Sequence, residues 1–171
     1  MNGSEALLSG VELLARSGRA IEIRLRGTSM GSSLASGSLV HIEPSRLEAL
    51  STGDVVAFRD GDRLVAHRIA YIGRRQASRC FAVPIGDAYS FPDRPVNETE
   101  ILGRVTEYHD GLTWKQITAM PSRTRAGRVI ARLSVIVVAA ALEIHPHFAK
   151  LMAGALIAAR SFLHSGRTSK A

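Results

Sequence analysis

The residues best placed to do chemistry are a serine, a histidine and two aspartates. Ser29 sits in RLRGTSMGSSLASGSLVHIEP, Arg24 to Pro44, where a short alternating strand ends in a glycine and gives way to Gly-Thr-Ser-Met before a second strand begins. A serine at a strand exit, behind a glycine that lets another backbone pass close by, suits nucleophilic attack on an extended peptide. A hydroxyl is a weak nucleophile at neutral pH and needs a base within hydrogen-bond reach, a task that matches the imidazole of histidine. Of the six histidines, His145, His147 and His164 fall in the C-terminal tail, His109 adjoins a turn, and His41 lies on the strand after Ser29. His67, in Leu64-Val65-Ala66-His67-Arg68-Ile69, belongs to an apolar strand expected to cross the core. A neutral imidazole base also wants an acceptor on its other nitrogen. Asp87, in Pro84-Ile85-Gly86-Asp87-Ala88, and Asp93, in Phe91-Pro92-Asp93, are the candidates. Both also have the ordinary use of capping their own turns.

These residues must be carried by a folded chain, and the composition allows one. With 171 residues, 46% of them hydrophobic and 22% charged, the chain suits one domain with an appendage and is not disordered by composition. The single cysteine, Cys80, rules out an internal disulfide framework and a multi-cysteine metal site, and it fits a reducing compartment. A formal charge of +7 implies attraction to anionic surfaces. At 5% aromatic content there is little for base stacking, so no nucleic-acid partner is expected. No metal or cofactor is expected either. Glu5 and Glu12 stand where a secretory signal would be uncharged, so the chain is expected not to be secreted.

Ser4 opens a helical pattern carrying Leu7, Leu8, Val11, Leu13 and Leu14 on or near one face, with Gly18 as its stop, and residues 1–19 form an amphipathic N-terminal helix. From Ala20 the period changes to two, with Ile21, Ile23 and Leu25 alternating with charged residues. Further strands are expected at Leu39 to Glu43, Val55 to Phe58, Arg63 to Ile72, Cys80 to Ile85, Thr99 to His109 and Leu112 to Thr118, with hairpin turns at Asp60-Gly61 and Asp110-Gly111. Residues 20–119 therefore read as an antiparallel β domain, and the fold class as mainly β.

Residues 120–171 change character. Arg123, Arg125, Arg128 and Arg132 precede an apolar stretch from Leu133 to Leu142, and a second stretch from Phe148 to Leu163 follows the break at His145-Pro146. The pattern predicts a helical hairpin. Neither stretch reaches the roughly 18–20 apolar residues of a spanning helix. Two accounts stand open: the hairpin covers the β domain or a second subunit, or it enters or lies on a membrane through residues 123–164. In the second account interfacial attachment is favoured over insertion, and the flanking arginines keep the β domain on the cytoplasmic side if it inserts.

GTSMGSSLASGSLV, GDVVAFRDGDRLVAHRI, FAVPIGDAYSFPD and ILGRV occur in an order and spacing that resemble type I signal peptidases, most closely the Ser-His branch of the endoplasmic reticulum, archaea and spore-forming bacteria. The resemblance covers roughly Ile21 to Tyr108. It implies a signal-peptidase-like β domain in which Ser29 is the nucleophile and His67 the general base. Asp87 matches the Gly-Asp box and Asp93 the acid beyond it, and either would orient His67. Backbone N–H at Ser29, helped by Thr28, would hold the oxyanion. The lysines are only Lys115, Lys150 and Lys170, none of them near the His67 box, so a Ser-Lys dyad is not expected. The chain departs from the family at Gly31-Ser32-Ser33, where Glu-Pro-Thr is common, and at Ser38, where an acid is usual after the glycine. The family's N-terminal anchor is not expected from residues 1–19, so a dedicated leader peptide fits as substrate as well as secretory signals do.

The function expected is thus serine endopeptidase, cleaving an extended peptide or protein substrate after small residues, cytoplasmic or peripherally attached to a membrane. The alternative is a non-catalytic β module that binds an extended segment by sheet-edge pairing.

Overall fold

The computed structural model describes residues 3–74, 80–89 and 91–117, and in the tail Leu133, Ile136 and Val137, which are helical and exposed. The helical hairpin expected beyond residue 120 otherwise lies outside the described residues. Among the described residues no helix is long and apolar enough to cross a membrane.

Among the described residues one helix, α1 (Gly3–Arg16), precedes eight strands: β1 (Ile21–Arg24), β2 (Leu39–Glu43), β3 (Val55–Asp60), β4 (Arg63–Arg74), β5 (Cys80–Ile85), β6 (Val96–Asn97), β7 (Ile101–His109) and β8 (Trp114–Gln116). All pair antiparallel in one sheet of order β1-β2-β7-β3-β4-β5-β6, with β8 added to β7. The mainly-β expectation and most strand positions hold.

The sheet is buried on both faces at its centre, and β3 shows how the pleat achieves this. Val55 and Ala57 join a cluster with Val40, Ile42, Leu102 and Val105, while Val56 and Phe58 join a second cluster with Leu47, Ile69, Ala82 and Val96. Successive side chains point to opposite faces, so a run of four apolar residues serves two cores. This central position fixes β4, its hairpin partner, which carries His67 opposite Val56.

Three details differ from the sequence pattern. The inward face of α1 is Leu8, Val11 and Ala15, while Leu7, Leu13 and Leu14 are exposed, because one helix face cannot hold five bulky side chains against a sheet. The strand expected from Thr99 starts at Ile101, since Asn97 and Glu100 form a capping box around a 3-10 turn at Glu98–Glu100. The strand expected from Leu112 starts at Trp114, because the Asp110 carboxylate accepts the N–H groups of Leu112 and Thr113 and holds them in the loop. Lys115 and those two N–H groups keep the Asp110 carboxyl well below the usual carboxylate range.

Candidate active site

The candidate residues come from three places in the sheet. Ser29 lies in the loop leaving β1, half-buried, in a turn closed by the Gly31 N–H donating to the Thr28 carbonyl at 3.0 Å. His67 lies within β4 and is 4% exposed. Asp93 lies in the loop between β5 and β6, pinned by its own N–H donating to the Pro84 carbonyl at 2.8 Å. All three line one cleft of about 320 Å³, together with Thr28, Tyr89 and Phe58.

His67 and Asp93 are in direct contact. Nδ1 of the ring donates to Asp93 Oδ2, which leaves Nε2 as the nitrogen available for proton transfer. Nε2 is buried and has no hydrogen-bond partner among the described residues. The Ser29 hydroxyl is therefore not hydrogen-bonded to it here, and sites of this kind often tighten only when substrate is bound. Phe58 and Tyr89 meet the ring edge-on, with centroids 6.1 and 6.4 Å away, and hold its plane.

The two aspartates divide their roles. The structure corrects the expectation that Asp87 could orient the imidazole. Asp87 accepts two bonds from Arg68, Nε to Oδ1 at 2.9 Å and Nη2 to Oδ2 at 2.8 Å, and both side chains are almost wholly buried, 1% and 2% exposed. Arg68 Nη1 also donates to the Gly53 carbonyl at 2.8 Å. Period-two alternation explains the division, since adjacent residues of a strand face opposite ways. His67 meets Asp93, while Arg68 turns away to anchor Asp87 and the loop before β3.

Residues that the sequence pattern did not single out complete the site. At Gly86, a Cβ would stand 2.6 Å from the Ser29 carbonyl oxygen and 3.2 Å from His67 Nε2, so only glycine lets the Ser29 loop and the imidazole meet there. The adjoining turn holds that loop through the Ala88 N–H, which donates to the Ser29 carbonyl at 2.9 Å. Arg94, next to Asp93, ties this loop to the sheet: its Nε donates to Asp60 at 2.9 Å, its Nη1 to Glu100 at 2.7 Å and its Nη2 to the Arg59 carbonyl at 3.2 Å. A glycine before an aspartate and an arginine after one were the available signals, and each is too common to be read alone.

Thr28 is exposed beside the cleft. The Ser29 N–H donates to no group among the described residues. The arrangement offers a hydroxyl, an oriented imidazole and a backbone donor around one cavity, which is equipment for acyl transfer. Comparison of the chain with protein-family models and with curated proteins finds no match to either.

Proposed function

We propose that the chain is a serine endopeptidase of the signal-peptidase type, cleaving an extended leader or signal peptide after small residues. The observation that carries this reading is the His67–Asp93 pair, with a buried, unpartnered Nε2 on the cleft that Ser29 also lines. A buried polar atom without a partner costs stability, and a proton acceptor awaiting a hydroxyl gives it a use.

In this mechanism Ser29 Oγ attacks the scissile carbonyl carbon while His67 Nε2 takes the hydroxyl proton. Asp93 holds the tautomer with hydrogen on Nδ1 and stabilises the imidazolium. The Ser29 N–H, helped by Thr28, meets the oxyanion. Nε2 then gives its proton to the leaving amine, and water, deprotonated by the same nitrogen, releases the acyl group. The substrate would pair as a strand. Among the described residues, residues 63–67 of β4 pair only with β3, because pairing to β5 starts at Arg68, and this open edge lines the same cleft as Leu25, Arg26 and Gly27.

The tail supports attachment to an anionic membrane surface. Residues 118–171 hold eight Lys or Arg and one Glu, whereas residues 1–117 hold fourteen of each sign, so the whole excess of +7 lies beyond the sheet.

A fluorophosphonate probe tests the enzyme reading. Covalent labelling of Ser29, abolished in Ser29→Ala and in His67→Ala, is expected. Peptide binding without labelling would instead favour the non-catalytic module.

A further inference from the structure

Resting on the peptidase reading, we infer that the cleft selects substrates carrying an acidic residue several positions from the scissile bond, read by Arg26 and Arg63. The two arginines line the same cleft as Ser29 and His67, Arg26 on the loop after β1 and Arg63 at the start of β4. Arg63 is four residues from His67 and Arg26 three from Ser29. β4 is extended from Arg63 to His67, so at about 3.3 Å per residue Arg63 lies on the order of 13 Å from the imidazole. A strand laid along β4 therefore reaches Arg63 about four substrate residues from the scissile bond, in the cleft that Arg26 also lines.

Both guanidinium groups are available. Arg63 has a side chain 82% exposed, and its ion-pair contact, to Asp62, is a loose 3.9 Å. Arg26 is exposed and has no ion pair among the described residues. The carboxylates on the same cleft are already engaged, Asp60 by Arg94 at 2.9 Å and Asp93 by His67. Between Arg63 and His67 the cleft is lined by Leu64, Val65 and Ala66, all apolar, so a charge met at Arg63 can set substrate register. A carboxylate between two guanidinium groups gains charge-assisted bonds, and a lysine or arginine there meets repulsion.

The experiment is cleavage of a proteome-derived peptide library by the full chain, with cleavage sites read by mass spectrometry. The expected result is enrichment of Asp and Glu three to five residues to one side of the cut. In the Arg26→Ala/Arg63→Ala double variant that enrichment is lost while cleavage continues, and kcat/KM for an acidic peptide falls by about three- to tenfold relative to its Gln analogue, the range of two exposed charge pairs. Arg26→Glu/Arg63→Glu is expected to move the preference to Lys and Arg. Cleavage without acidic enrichment, or enrichment that survives in the double-alanine variant, would overturn the inference and leave the peptidase reading standing. Absence of any cleavage by the native chain would instead overturn both.

Discussion

His67 and Arg68 are neighbours in sequence with opposite duties. His67 faces the cleft and a partly exposed acid, whereas Arg68 faces inward to an acid that water does not reach. The two aspartates should therefore separate activity from stability. Asp93→Asn removes the acceptor that fixes the tautomer, and kcat is expected to fall by about 10³–10⁴ with the melting temperature nearly unchanged. Steady-state kinetics beside thermal unfolding checks both halves. Asp87→Ala leaves the Arg68 guanidinium buried without its counter-charge, and a loss of about 3–5 kcal/mol is expected in urea unfolding. Equal loss of stability in the two variants would contradict the division of roles. Ser29 and His67 stood out in the sequence through the family resemblance of the motifs that carry them and not through residue type alone, since six histidines were on offer. The choice between Asp87 and Asp93 was not legible there, since either carboxylate follows the same strand and only the side-chain direction separates them.

The elements bring these groups together through close approaches of backbone. The turn after β5 passes so near the Ser29 loop that Gly86 has no room for a side chain. Gly86→Ala is expected to push the Ser29 carbonyl away, to cost about 1–3 kcal/mol as overpacking does, and to slow acylation. Probe-labelling rates and chemical denaturation measure the two effects, and a variant with native rate and stability would show that the approach is not needed. The strand boundaries at this scale were largely readable, because alternating burial and Asp-Gly turns dictate them. The late starts of β7 and β8 were not, because each depends on a local side-chain cap, Glu100 on Asn97 and Asp110 on Leu112 and Thr113, which competes with the ladder.

Across the whole molecule, charge and chemistry are separated along the chain. The sheet-bearing part is neutral in formal charge, and the segment after Ile117 holds the entire positive excess. Binding of the full chain to vesicles containing anionic lipid is expected to fall steeply with salt, while a chain ended at residue 117 is expected not to bind and to keep its thermal transition. Co-sedimentation at two salt concentrations reads this directly, and salt-independent binding would remove electrostatics as its basis.

The amino-acid sequence by itself determined that the chain is mainly β and where most strands lie, because periodicity and turn residues are local properties, and it offered Ser29 and His67 as candidates through the resemblance of their motifs to a peptidase family. Tertiary structure decided which aspartate reaches the imidazole, which leucines of α1 face the sheet, and that Gly86 and Arg94 position the site. Those outcomes depend on the direction in which a side chain leaves its strand and on which backbone passes nearby. Contacts between residues distant along the chain fix both.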